Sequence, residues 1–355
     1  MKLKSYINGM GCVSAQKTFQ EGFVDNAEVN TSRNLLSVEV PNYKDYISPA
    51  AIRRMAKGVK NGIVASAMAM KEANIDNVDA IITGSGMGCI EDSENFLKAI
   101  IDNNEEFLTP TSFIQSTHNT VAAQIALGMK CTGYNFTYVN GAISFESALL
   151  DAKSMIEAGD ATSAMVGGVD EIAPHTMKLY ELAGFIKSKE EVDVPLLKSA
   201  GTGAIFGEGA TFFILEDQIT ASTYAKLTDI EIFNHLSPSE VQKAAISFLE
   251  KNEISISEVD AVILGYNGEA DFDHYYNELA ANVFPDILQL YYKHLSGEYN
   301  TASAFGLWIG ANIIKTGTVP KIIKINQKER KNYKNILLYN QYRGRDHSFV
   351  LISSP

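Results

Sequence analysis

A chain of 355 residues, 46% of them apolar, can bury a large core, as one big domain or two fused ones. A formal charge of −12 and a pI near 5.0 exclude nucleic acid and anionic membrane as main partners. The apolar stretches are too short and interrupted for a membrane span, the N-terminus lacks a signal peptide's apolar core, and three cysteines (Cys12, Cys89, Cys131) form neither a disulfide framework nor a metal spacing. The expectation is a cytoplasmic chain without metal or cofactor.

In chain order, Ser5 to Gly11 reads as a first strand, and residues 21–48, without periodicity, as a surface loop. Ser48 and Pro49 make a helix start, a cap followed by a proline at the first helical position. Arg53, Arg54, Lys57 and Lys60 then fall on nearly one helix face, either a solvated face or a docking patch for an acidic partner. A second helix runs through 62–70 and stops near Asn74. The strand at 78–83 enters Gly84-Ser85-Gly86-Met87-Gly88, a glycine-rich turn lacking the lysine and context of a phosphate or dinucleotide site. Cys89 reads as a buried, inert thiol. Residues 105–130 join a proline-containing loop to a short helix from Val121, with His118-Asn119-Thr120 at its cap and His118 structural.

Residues 134–171 carry the most distinctive pattern. A β-rich run at 136–139 turns at Asn140-Gly141-Ala142 into a helix with Phe145, Ala148, Leu149, Ala152, Met155 and Ile156 at helical spacing. Gly159 stops the helix, and a buried strand at 163–166 runs into Gly167-Gly168. The elbow aims residue 142 or its neighbours at a helix N-terminus, where main-chain N–H groups favour developing negative charge. Residues 172–200 read as a mobile cover, and Gly207-Glu208-Gly209-Ala210 opens a strand at 211–216. The order then repeats. Val78-Asp79-Ala80-Ile81-Ile82 returns as Val259-Asp260-Ala261-Val262-Ile263, the helix ending at Gly159 as one from Thr301 to near Gly317, and the strand at 212–215 as 349–352. Two halves, 1–217 and 218–355, point to a duplicated α/β unit. The second of these helices is apolar nearly all round, which places it between layers.

The elbow, Gly159-Asp160-Ala161, Gly167-Gly168-Val169-Asp170-Glu171 and the Gly207–Ala210 turn resemble the β-ketoacyl-acyl-carrier-protein synthases. The resemblance covers nearly the whole chain, most strongly from about 46 to 217. It implies a thiolase-like fold with a duplicated five-layered α-β-α-β-α architecture. In that family the elbow carries a nucleophilic cysteine, and two histidines assist malonyl decarboxylation and stabilise the enolate. Family spacing from Gly159 puts the cysteine position on Ala142. The turn matching the first histidine reads Tyr266-Asn267-Gly268-Glu269, and the segment matching the second reads Lys293-His294-Leu295-Ser296-Gly297-Glu298. Lys293 is therefore retained, while Asn267 and Glu298 stand at the histidine positions. His274 and His294 lie near these segments but off the matching positions. The family's Gly-Phe-Gly-Gly gating loop is replaced by Asn340-Gln341-Tyr342-Arg343-Gly344-Arg345. Ser144 is either a weak alternative nucleophile or, the better reading, a helix N-cap.

The resemblance thus implies a ketosynthase-like subunit of the chain-length-factor class, similar to short proteins of aryl-polyene and flexirubin-type pathways. Its implied partners are an active ketosynthase or a second copy, and acyl carrier protein as the acidic partner of Arg53, Arg54, Lys57 and Lys60. The alternative is an active 3-oxoacyl synthase, acyltransferase or malonyl decarboxylase using Asn267 and Lys293, since decarboxylation mainly needs enolate stabilisation. A third class, a plain dimeric scaffold, predicts a filled interior. For assembly, the apolar and aromatic run at 134–139, with Phe113 and Ile114, is the expected dimer surface.

Overall fold

The computed structural model describes residues 3–19, 27–29 and 32–355; part of the expected surface loop, at 21–26 and 30–31, lies outside them. The first half contains β1 (Ser5–Val13), β2 (Leu35–Leu36), α1 (Pro49–Ile52), α2 (Lys57–Ala73), β3 (Ala80–Gly84), α3 (Ile90–Asp102), α4 (Pro110–Ser116) and α5 (Thr120–Met129). It continues with β4 (Tyr134–Tyr138), α6 (Ser144–Ala158), β5 (Ser163–Asp170), α7 (Pro174–Leu182), β6 (Phe206–Gly207) and β7 (Gly209–Glu216). The second half holds β8 (Ala225–Asn234), α8 (Pro238–Lys251), β9 (Ala261–Leu264), α9 (Ala270–Asn282), β10 (Leu288–Tyr291), α10 (Lys293–Ser296), α11 (Ser303–Thr316), β11 (Asn335–Tyr342) and β12 (Asp346–Ser353).

Ten strands form one mixed sheet in the order β10-β9-β11-β12-β8-β1-β7-β5-β3-β4, and β2 pairs separately with β6. The two sides of this sheet repeat one pattern. β3 lies between parallel β4 and β5, and β5, β7 and β1 follow antiparallel. β9 lies between parallel β10 and β11, and β11, β12 and β8 follow antiparallel. The repeated Val-Asp-Ala segments lead into β3 and β9, which hold equivalent central positions. β1 and β8 join the halves through the pairs Ser5–Leu227, Tyr6–Lys226 and Ile7–Ala225.

Side chains alternate between faces with a period of two, so each strand feeds two cores. Phe213 and Leu215 of β7, and Val350 and Ile352 of β12, face one central core that also takes in α6 and α11. Phe212 and Ile214 face a second core with α2 and α5. Phe349 and Leu351 face a third with α8 and α9. Layer by layer this is α-β-α-β-α, a thiolase-like fold. α11 is buried along nearly its whole length, Ser303 to Ala311 and Ile313. No helix among the described residues is long and apolar enough to cross a membrane.

Two expectations need correction. The helix from Pro49 ends at Ile52, and α2 begins at Lys57, so the four basic residues do not share one helix face. The break is held from a distance: Gln115 accepts the Ala56 N–H at 3.2 Å and Glu171 accepts the Gly58 N–H at 2.6 Å. The stretch before it is not only surface loop either. Leu36, Val38 and Ile47 are buried, because Leu35 and Leu36 pair with β6 and Glu208 accepts the Val38 N–H.

Candidate functional site

β4 runs into Asn140 and one 3-10 turn, Gly141–Ile143, before α6 begins at Ser144. Gly141 has φ 57°, a left-handed backbone that glycine adopts at no steric cost. The buried Ser144 hydroxyl accepts the Asn140 N–H at 2.8 Å and donates to the Gly141 carbonyl at 2.7 Å. It pins the elbow from the first residue of α6, one position past the N-cap, and its proton already goes to a carbonyl rather than to a base. Ala142 is buried inside the turn. The end of β3 presses on the elbow so closely that a Cβ at Gly84 would lie 2.5 Å from the Ser144 carbonyl.

One turn into α6, Glu146 is fully buried, a carboxylate the sequence reading did not single out. Ser348 of β12 donates to one of its oxygens at 2.8 Å, and the Ser303 hydroxyl lies beside the carboxylate. Burial raises its pKa, and the two serines and Lys293 pull it partly back. The signal was in the sequence: an acid beside Phe145 and three residues before Leu149, both on the apolar face of α6, needs a partner.

The segments matched to the two histidines meet in the fold. Lys293, Glu298 and Asn267 are 1%, 3% and 4% exposed. The Lys293 ammonium lies 2.7 Å from Glu298 Oε2, and Asn267 Nδ2 donates to the same oxygen at 2.8 Å. Asn267 Oδ1 accepts the Glu269 N–H, and Asp273 accepts the N–H groups of Asn267 and Gly268 at 3.3 and 2.9 Å. Burial pushes Asp273 up to about 7, against those two hydrogen bonds. A positive donor, an amide donor and a carboxylate thus satisfy one another, and Glu298 sets a negative charge beside both donors.

The other histidines do not join this network through any hydrogen bond among the described residues. His294 is buried and stacked on Tyr291 with ring centroids 3.9 Å apart. His274 packs on Tyr275, and His118 is exposed beside Gly88. Cys89 is buried, and desolvation with three neighbouring acids raises its thiol well above the ordinary value. Behind the elbow, Asp170 accepts the Thr301 N–H and hydroxyl at 2.9 and 2.8 Å and the Gly86 N–H at 2.8 Å, tying β5 to the glycine-rich turn and to the segment entering α11. Glu171 caps two helices, accepting from Gly58 at 2.6 Å and Glu91 at 3.0 Å.

The basic quartet divides. Arg53 and Arg54 are exposed, whereas Lys57 pairs with buried Glu208 at 2.7 Å and Lys60 lies over the Tyr43 ring at 5.5 Å. Three grooves, of about 800, 510 and 620 Å3, lie between α2 and α5, beside α7, and at the ends of α8 and α9. None of the three is lined by Ala142, Asn267, Lys293 or Glu298. No cluster of metal-ligating side chains occurs among the described residues.

The family model for the beta-ketoacyl synthase N-terminal domain matches residues 8–221, which span the elbow, the Gly-Gly turn and the Gly207–Ala210 turn. The chain belongs to the β-ketoacyl synthase family. A curated relative within it, 3-oxoacyl-[acyl-carrier-protein] synthase 2 of Staphylococcus aureus strain N315, is 23% identical over 188 residues, 49% of this chain and 44% of the relative. The match therefore spans less than half the length of that synthase. Two solved structures share the fold over 100% of both chains at 16% identity: a beta-ketoacyl synthase from Burkholderia phymatum STM815, TM-score 0.85, and the ishigamide ketosynthase/chain length factor, TM-score 0.83.

Proposed function

We propose that this β-ketoacyl synthase family member is a non-catalytic, chain-length-factor-type subunit of fatty-acid or polyketide (polyene) synthesis, working in the cytoplasm beside an active ketosynthase. The observation that carries the reading is Glu298: a buried carboxylate engages both Lys293 and Asn267 at a family histidine position, while alanine stands at the nucleophile position. An unorthodox decarboxylase or acyltransferase would need those same two donors free. The likeness to a ketosynthase/chain length factor structure agrees with a partner role, and the three free cysteines agree with a reducing compartment.

The partner surface in this proposal is the sheet edge at β4. Tyr134 and Phe136 are 41% and 46% exposed on β4, whose outer edge pairs with no described strand, and Phe113 and Ile114 are exposed on α4. A dimer through this edge, with a ketosynthase or a second copy, buries upwards of ~2,000 Å2, the size of permanent interfaces. Arg53 and Arg54 are the residues left to meet acyl carrier protein. The division at 217/218 belongs to the same proposal, each part supplying one side of the sheet. The test is condensation of acyl and malonyl thioesters by the isolated chain and by the chain co-purified with a ketosynthase. The expected result is background activity alone and a stable complex; robust condensation by the isolated chain, abolished by Ser144→Ala, overturns the reading.

A further inference from the structure

The ten-stranded sheet has two ends, and the duplication makes them equivalent: β4 lies beside central β3 and β10 beside central β9, each pair parallel. Their outer edges are treated differently. Tyr134 and Phe136 of β4 are exposed, whereas Leu288 and Leu290 of β10 are fully buried. The cover comes from one connection. In the first half α6 reaches β5 through residues 159–162, but in the second half the much longer stretch 317–334 lies between α11 and β11.

That stretch runs along β10. Lys324 bridges Leu290 in the antiparallel sense, and the Ile325 N–H donates to the Gln289 carbonyl at 2.9 Å. One residue further on, a side chain takes over from the backbone. Asn326 Oδ1 accepts the Gln289 N–H at 3.2 Å, and Asn326 Nδ2 donates to the Ile287 carbonyl at 2.9 Å. A primary amide carries the same donor and acceptor as a peptide unit, so Asn326 stands in for a residue of a neighbouring strand. The Lys328 N–H donates to the same Oδ1 at 3.2 Å and fixes the amide, while buried Ile323 anchors the stretch to the core. Outward, the stretch presents exposed Lys321, Lys328, Lys331 and Lys334, and lysines along an edge oppose edge-to-edge association.

We propose that residues 317–334 are an edge guard, which occupies the hydrogen-bonding groups of β10 and confines assembly through the sheet to the β4 end. Two open, equivalent ends would let copies add without closing, because each contact leaves a further edge free. One guarded end stops the assembly at a pair. The guard concerns β10 alone, and it holds whether the partner at β4 is a ketosynthase or a second copy. The test uses the isolated full-length chain. Asn326→Ala removes the surrogate peptide group. Ile325→Pro combined with Asn326→Ala also removes the remaining N–H donor, and Lys324, extended at ψ 132°, suits the position before a proline. Hydrogen exchange is read at Gln289 and across β7, and association by sedimentation over a concentration series. The expected result is exchange at Gln289 about tenfold faster in Asn326→Ala with β7 unchanged, and, in the double variant, species larger than the wild-type assembly that grow with concentration. Unchanged exchange at Gln289, or a double variant that sediments as wild type, overturns the guard. Larger species accompanied by lost protection in β7 overturn it too, because unfolding then drives the association. Phe136→Lys, which probes β4, leaves these readings untouched, so the two proposals fail separately.

Discussion

Breaking the buried pair at its cationic end is the most direct probe of the network. Lys293→Met removes the ammonium 2.7 Å from Glu298 and leaves a carboxylate that is 3% exposed with Asn267 as its remaining side-chain donor. A buried charge stripped of its partner costs about 3–5 kcal/mol. Glu298→Leu, which strands the ammonium instead, falls in the same range. Lys293→Met combined with Glu298→Leu removes both charges and returns stability to within about 1 kcal/mol of wild type, because two well-packed apolar side chains often match a buried ion pair. The coupling energy from the cycle is therefore about 5 kcal/mol or more. Urea unfolding at fixed protein concentration measures it, as shifts in midpoint at constant slope. Single substitutions costing under about 1 kcal/mol, the worth of an exposed pair, would refute the claim that the network is closed and dry.

Other expectations are smaller in scope. Burial pushes His294 down to about 3, with the Ile322 backbone offsetting this in part. The unfolded imidazole takes its proton near pH 6.5 while the folded one stays neutral, so stability falls as pH drops from 6.5 towards 3, by about 1.4 kcal/mol per unit; His294→Leu flattens that slope in pH-dependent unfolding, and an unchanged slope counts against it. Asp273, pushed up to about 7 by burial, acts oppositely: between pH 4 and 7 the folded state holds the extra proton, stability falls as pH rises, and Asp273→Asn removes this component. Ala142→Cys alone leaves condensation at background, read by product mass, because Glu298 still engages the Lys293 and Asn267 donors. Phe136→Lys places a charge on the β4 edge and converts a sedimenting dimer to monomer at low micromolar concentration; an unaltered dimer excludes this edge as the interface.

What the sequence made legible was what local pattern and repetition encode. The doubled Val-Asp-Ala run located two strands that prove equivalent in pairing, and the apolar wrap of the 303–316 helix placed it in the middle layer. Where long-range contacts override local pattern, the reading failed. Ser48-Pro49 and basic residues at helical spacing continue smoothly through 53–60, and only Gln115 and Glu171, 59 and 113 residues away from their partners, break the helix there. Glu146 was missed for the same reason: its partner Ser348 is 202 residues distant. At the site, Asn267, Lys293 and Glu298 were legible only as single letters in two segments matched by resemblance. That Asn267, Lys293 and Glu298 close on one another is a property of the folded chain, since 31 residues separate the amide from the carboxylate.

The position of β1 sets a schedule for the ribosome. β1 is made well before its neighbours yet ends up inside the sheet, paired on one side with β7, where Val13 meets Ala210, and on the other with β8, where Ser5 meets Leu227. At 5–20 residues per second, its first neighbour emerges ~10–40 s after it does. Through that interval Ile7, Met10, Cys12 and Val13, all buried in the finished protein, have no sheet to join. Synonymous codons that slow translation between 14 and 209 lengthen this exposure without changing one residue of the product.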